Sequence, residues 1–144
     1  MASVVKRIEY YYTVVPDRAG ASAKVLNALK AARVNLLAFN GFPSGAGRAQ
    51  LDFVPSSQRA FQAAVRKAGI RLVGPKTAFL IQGQDRVGAF ADIAGKLAEA
   101  HINVTAVVTV AAGQGRYGAI LWVKPRKVDK AANILGASKP SLPL

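Results

Sequence analysis

The chain has 144 residues, is 51% hydrophobic, contains no cysteine and carries a formal net charge of +13. The absence of cysteine excludes disulfides, thiol catalysis and thiolate metal sites, and a single histidine, His101, excludes a three-histidine metal site. The excess of Lys and Arg suits an anionic ligand, an acidic partner or nucleic acid, but it is dispersed from Lys6 to Lys139 with no block of five. Residues Met1 to Tyr12 lack a long apolar stretch and no 18-residue apolar window occurs. Neither a signal peptide nor a membrane span is therefore expected, and a cytoplasmic location is.

In chain order, Ile8 to Val15 reads as a strand, rich in aromatic and β-branched residues. Pro16-Asp17 stops it, and the Asp17 carboxylate is positioned to cap a helix that begins near Ala19 or Gly20. Val25, Leu29 and Ala32 recur at i, i+4 and i+7 and give that helix one apolar face. Val34 to Phe42 is predicted as a strand, residues 43–47 as a hairpin loop, and Arg48 to Val54 as the returning strand. A helix from Gln58 to Ala68 follows Pro55-Ser56-Ser57, with Phe61 and Val65 inward, and Gly69 ends it. Ile70 to Val73 is a short strand, and Gly74-Pro75 is read as a link.

The order then repeats. Thr77 to Gln82 is a strand, Gly88 to Ala100 a helix with Ile93, Leu97 and Ala100 inward, and Ile102 to Val110 a strand by its alternation. Gly113-Gln114-Gly115 turns into the strand Tyr117 to Val123, and Val128 to Leu135 is a short helix. Gly136 to Leu144 would be a fourth strand, but Pro140 and Pro143 make it an edge strand or a tail, and Ser3 to Lys6 can take its place. The repeat is visible in the letters: Asp17 to Arg48 aligns without a gap on Asp85 to Arg116. The identities include Asp17/Asp85, Arg18/Arg86, Gly20/Gly88, Asn35/Asn103 and Gly45-x-Gly47-Arg48 with Gly113-x-Gly115-Arg116.

The expected fold class is therefore α+β: two ferredoxin-like βαββαβ units, residues 1–74 and 75–144, with antiparallel sheets and helices on one face. The other face is left for water, a partner sheet or a ligand.

Asp85-Arg86-Val87-Gly88 with Ile102-Asn103-Val104, and Asp17-Arg18-Ala19-Gly20 with Val34-Asn35-Leu36, resemble the ACT domain family. The resemblance covers about residues 7–136. The family's turn is often Asp-Arg-Pro-Gly; neither copy here has the proline, and Ser22 stands where the second copy has the bulky Phe90. The resemblance implies a tandem ACT-domain protein: a regulatory module rather than an enzyme, binding an amino acid or similar small metabolite at an interface between ACT-like units. It implies a homo-oligomer and a regulated partner protein. It also implies that the turn before the helix and the Asn after it line the site, so that Asp85, Arg86, Val87, Gly88 and Asn103 form one candidate ligand-binding set. Asp17, Arg18, Gly20 and Asn35 form the other. The chemistry is consistent: a glycine allows close approach to backbone, helix-terminal amides favour a carboxylate, and Asp can meet an ammonium. Plainer roles exist for each, as helix caps, turn glycines and solvated arginines.

No cofactor is expected. Gly113 to Gly118 spells G-x-G-x-x-G but precedes a strand rather than opening a helix. The acids are too scattered for a catalytic carboxylate pair. Nucleic-acid binding is the rival reading, with Tyr10, Tyr12, Phe39, Phe53 and Trp122 as candidate stacking residues on the open sheet face. A plain protein-interaction module is the third.

Overall fold

The structure is a computed structural model and describes residues 3–139. It contains six strands: β1 (Val4–Pro16), β2 (Leu36–Gly45), β3 (Arg48–Pro55), β4 (Val73–Gln84), β5 (Ala106–Gly113) and β6 (Arg116–Trp122). Four α-helices accompany them: α1 (Ala21–Ala31), α2 (Gln58–Lys67), α3 (Ala89–Glu99) and α4 (Val128–Leu135). The class is α+β with an antiparallel sheet. Among the described residues no helix is long and apolar enough to cross a membrane.

The chain divides into two compact units, one of residues 10–76 and one of residues 3–9 with 77–139. Residues 3–9 thus group with the second half of the chain, whereas the sequence suggested a single division at 74/75. In the unit 10–76 the strand order is β2-β3-β1-β4, with α1 packed beside α2. Its core joins Tyr11, Val25, Leu29, Leu51, Phe53, Phe61, Ala64 and Val65. The Phe61 ring lies 5.2 Å from Tyr11 and 5.5 Å from Phe53, centroid to centroid. In the other unit the order is β1-β4-β6-β5, with α3 packed beside α4. There Phe79, Ile81, Ile93, Leu97, Tyr117, Ala119 and Leu121 form the centre of the core. Tyr11/Phe79, Val25/Ile93, Leu29/Leu97, Leu51/Ala119 and Phe53/Leu121 are core pairs at the same spacing as the repeat.

Local backbone geometry recurs with the same spacing. Gly20 (φ 89°) and Gly88 (φ 75°) are left-handed residues that open α1 and α3. Arg33 (φ 59°) and His101 (φ 57°) are left-handed at the helix ends. There the Val34 amide donates to Leu29 O at 3.0 Å and the Ile102 amide to Leu97 O at 2.9 Å, closing the last helical turn. The hairpins β2–β3 and β5–β6 turn through Ala46-Gly47 and Gln114-Gly115, all at positive φ, the backbone twist a two-residue hairpin requires.

Several expectations need correction. Asp17 does not cap α1: Gly20 holds the cap position, and neither α1 nor α3 has a side-chain cap. The hairpin loop is two residues rather than five, because β2 continues through Pro43 and Ser44 to Gly45. Gly74-Pro75 is not a link but lies inside β4, where Gly74 sits against the backbone of Tyr10 and Tyr11 with no room for a β-carbon. The alternation from Ile102 to Val110 is not one strand. Ile102 and Val104 pack on the core in a connecting segment, and β5 starts at Ala106. Ser138 meets β1 rather than forming a fourth strand of its own, since its amide donates to Val5 O and Arg7 N donates to Ser138 O. The place beside β4 in that unit is taken by residues 4–9 of β1, the alternative that Ser3 to Lys6 offered. Residues 140–144 of the expected last strand lie outside the described residues.

The face away from the helices is only partly open. Asp52 and Val54 in one unit, and Ala78, Leu80, Ile120 and Trp122 in the other, are buried, while Val14, Phe42, Val108 and Val110 are exposed. Of the aromatics considered for RNA, Phe53 and Trp122 are buried and Phe39 packs on Phe53 on the helix side, while Tyr10 and Tyr12 are half-buried.

Candidate functional site

The two repeated motifs are joined by a backbone hydrogen bond. In the unit 10–76 the Asp17 amide donates to Gly47 O at 2.9 Å; in the other unit the Asp85 amide donates to Gly115 O at 2.8 Å. This ties the Asp-Arg-x-Gly turn to the Gly-x-Gly-Arg hairpin, which explains why both recur at one spacing. After each turn the chain doubles back through Ala21 N to Arg18 O (3.3 Å) and Ala89 N to Arg86 O (3.2 Å). The left-handed glycine then starts a helix whose first-turn amides have no side-chain cap.

Each turn walls a shallow hollow. One, of about 340 Å³, is lined by Asp17, Arg18, Ala21 and Ser22 from the turn and α1, and by Phe39, Gly41, Phe42 and Pro43 from β2. The other, of about 300 Å³, is lined by Asp85, Arg86, Gly88, Ala89 and Phe90, and by Thr109, Val110 and Ala111 from β5. Ala21/Ala89, Ser22/Phe90, Gly41/Thr109, Phe42/Val110 and Pro43/Ala111 are equivalent positions, so the two hollows are the same place in the repeat. They differ in filling. Phe90 and the buried Tyr117 occupy what Ser22 and Ala49 leave clear, and the Tyr117 hydroxyl is tied to Ser3 Oγ at 2.6 Å. The first hollow has instead the half-exposed rings of Phe39 and Phe42 at its rim.

The candidate residues distribute unevenly. Asp17 and Arg18 share one hollow, and Asp85, Arg86 and Gly88 the other. Gly20 lies between Arg18 and Ala21 as the helix opener, and Val87 is fully exposed at the tip of its turn. Arg86 is partly committed: its Nη2 pairs with Asp92 Oδ2 at 2.5 Å, and the guanidinium holds the Asp92 carboxyl below the usual carboxylate range. Arg18 has no corresponding carboxylate on α1, because Lys24 stands where α3 has Asp92.

Asn35 and Asn103 are not brought to these hollows within their own units. Each follows the far end of an 11-residue helix, about 16 Å from the turn that precedes it. Asn35 lines a separate hollow of about 460 Å³ with Lys30, Arg33 and Leu36, and its carbonyl accepts from the Ser56 amide at 3.0 Å. Asn103 is exposed in the segment before β5. The residues not anticipated were those of β2 and β5 opposite the turn. The signal that could have found them is the spacing of 68 residues, applied to the strand as well as to the turn.

A second polar feature lies on the face of β3 away from the helices. Asp52 is 5% exposed and accepts from Gln50 Nε2 at 2.9 Å. Burial pushes its carboxyl up from the ordinary value, against hydrogen bonds from Gln50 and Asn40 and the charge of Lys76. Lys76 Nζ stands 5.2 Å from the Tyr12 ring centroid. Among the described residues no group of three or more His, Asp or Glu could hold a metal ion.

No family model matches the sequence, and no curated protein matches it. Solved structures do. Protein BT0572 from Bacteroides thetaiotaomicron superposes with a TM-score of 0.76 at 16% identity, over 93% of this chain and 88% of that one. The regulatory subunit of aspartate kinase from Thermus thermophilus, in its ligand-free form, gives 0.62 at 17%, over 94% and 95%. The aspartokinase alpha and beta subunits give the same score, identity and coverage. At these identities the likeness concerns fold, and the fold this chain shares with them is ACT-like.

Proposed function

We propose that the chain is a non-enzymatic regulatory protein built of two ACT-like units, which binds an amino acid or a similar small metabolite at the Asp-Arg-x-Gly turns. The observation that carries the reading is the pair of equivalent hollows. Each combines an Asp, an Arg and the uncapped first turn of a helix with an edge strand, and Gly88 adds its backbone to the second. A ligand carboxylate would meet the first-turn amides of α1 or α3, and its ammonium Asp17 or Asp85. The likeness to regulatory subunits of aspartate kinase supports a role in regulation.

The outer wall of each hollow is an edge strand, β2 or β5, with no charged side chain. Leu37, Phe39 and Phe42 on β2 and Val107, Val108 and Val110 on β5 are exposed. An uncharged, exposed edge is a template for strand pairing. Pairing of such an edge with a second copy of the chain would place a hollow at an interface. A ligand there would favour the paired form by its differential affinity. The unit 10–76 is the better candidate for a ligand with a bulky side chain, since Ser22 and Ala49 leave space that Phe90 and Tyr117 fill in the other unit.

The test is thermal unfolding of the full chain against each of the twenty amino acids at millimolar concentration. A ligand at about 100 times its Kd adds about 2.7 kcal/mol, a rise of several degrees. The proposal expects such a rise with a few related amino acids, lost in Asp17→Ala or Asp85→Ala. A flat panel that is equally flat for other small carboxylates would overturn it.

A further inference from the structure

Outside the hollows, the most unusual surface is the outer face of the helical layer in the unit 10–76. Helices α1 and α2 pack side by side and turn Val25, Leu29, Phe61, Ala64 and Val65 to the sheet. Their outward positions carry Lys24, Lys30, Arg59, Arg66 and Lys67, and the segments that follow add Arg33 and Arg71. All seven are exposed. No acid opposes them. From Tyr10 to Lys76 the acids are Asp17, in the turn before α1, and Asp52, buried on the opposite face of the sheet. Among the described residues the ion pairs are Arg7–Asp129 and Arg86–Asp92, and neither involves this layer.

The second unit provides an internal control. Its helical layer has the same core plan but mixed charge: Asp92 stands where α1 has Lys24, Glu99 where it has Ala31, and Asp129 lies on α4. Asn133 and Ile134 stand where α2 has Arg66 and Lys67, the two helices ending alike at Gly69 and Gly136. Solubility asks for charged residues on a surface, not for the removal of every acid from one layer of two. A one-sign layer repels itself and is relieved by a polyanion.

We infer that the outer face of α1 and α2 is a docking surface for the phosphate backbone of double-helical DNA. Four of the seven cations are arginines, whose planar forks suit bidentate phosphate contacts, and Asn27 and Gln62 lie exposed among them as further donors. Ala23, Ala31, Ala60 and Ala63 fill the rest of the outward face. No exposed Trp, Phe, Leu or Ile occurs on it to enter a bilayer or to stack on an unpaired base. Arg59 and Lys67 are separated by about 12 Å of helix rise, close to the width of the B-form major groove, so one helix reaches phosphates on both sides of it. The deep, narrow major groove of A-form RNA does not offer that match. This inference is independent of the small-molecule reading.

The experiment is fluorescence anisotropy of the full chain with a 20-base-pair duplex DNA of mixed sequence, titrated from about 50 to 200 mM salt. With four to six phosphates contacted, the slope of log K against log salt is about −4 to −5. The variant Lys30→Gln/Arg33→Gln/Arg66→Gln/Lys67→Gln should weaken binding at least tenfold and flatten that slope by about 3. The variant Lys96→Gln/Arg116→Gln/Lys124→Gln/Arg126→Gln removes the same charge from the other unit and should leave the slope unchanged. Circular dichroism melts confirm that both variants fold. Equal weakening by the two variants would reduce the effect to net charge and overturn the inference. So would no DNA binding, tighter binding to the matching RNA duplex, or binding to phosphatidylserine vesicles in preference to DNA.

Discussion

Replacing Arg33 and His101 by glycine should stabilise the protein, although both substitutions delete a side chain. Each residue follows the last turn of its helix at positive φ, 59° and 57°, a conformation in which an L side chain crowds the following carbonyl. That costs about 1–2 kcal/mol. Glycine escapes it but gives up about 0.5–1 kcal/mol in the freedom of the unfolded chain. The net gain is therefore about 0.5–1 kcal/mol at each site. The two sites end different helices and share no hydrogen-bond partner, so the gains should add to about 1–2 kcal/mol. For a chain of this size that is a rise in Tm of roughly 3–6 °C, or a higher urea midpoint at unchanged m-value. Arg33→Ala and His101→Ala are the controls: alanine pays the same left-handed penalty, so they should melt with the parent. Glycine variants that melt at or below the parent, with the alanine variants lower still, would refute the reasoning. The side chains, not the backbone, would then be holding the helix ends.

Three further perturbations probe other parts of the structure. Asp52→Asn should stabilise the protein at pH 7. The buried carboxylate has a folded pKa above its unfolded value, so its cost is present while it is ionised in the fold and disappears as pH falls through the folded pKa toward 3.8. Urea midpoints of variant and parent should differ at pH 7 and converge near pH 4; a constant gap would point to packing instead. Leu97→Ala, at a fully buried position between α3 and the sheet, should cost about 2–5 kcal/mol by chemical denaturation, and a loss under 1 kcal/mol would contradict the assigned core. Gly83→Ala should cost about 1–3 kcal/mol, because its β-carbon would fall 2.7 Å from Ser3 Oγ and 2.9 Å from a Tyr117 ring carbon. A neutral result would mean that residue 3 is not held beside β4.

Where local chemistry and packing agree, the sequence was readable. The apolar stripes of Val25 and Leu29 and of Ile93 and Leu97 face the cores as their spacing requires. The duplicated turn and hairpin motifs mark the points where each unit closes on itself. The failures share a cause, which is that a distant partner decided the local conformation. Gly74-Pro75 reads as a stop, yet β4 runs through it because Tyr10 and Tyr11 lie alongside. Asp17 has the chemistry of a cap, but Gly20 takes the left-handed position and moves the helix start beyond the carboxylate's reach. Ser3 to Lys6 could be read as a substitute for the weak last strand, but not as the start of β1, because the partner of residues 4–9 is β4, some seventy residues on. As for the site, the turns were legible because they are short motifs, while Asn35 and Asn103 were grouped with them by resemblance. A helix of 11 residues separates the two within each unit.

The central claim is that a small zwitterionic ligand binds at the Asp-Arg-x-Gly turns. The most direct measurement is an amide proton–nitrogen NMR spectrum of the uniformly labelled chain, titrated with whichever amino acid raises the melting temperature most. The account predicts saturable shifts centred on the amides of Gly20 to Ala23, of Gly88 to Ala91, or of both, with smaller shifts in β2 or β5. Saturable shifts confined to other residues, with both turns unmoved, would contradict it.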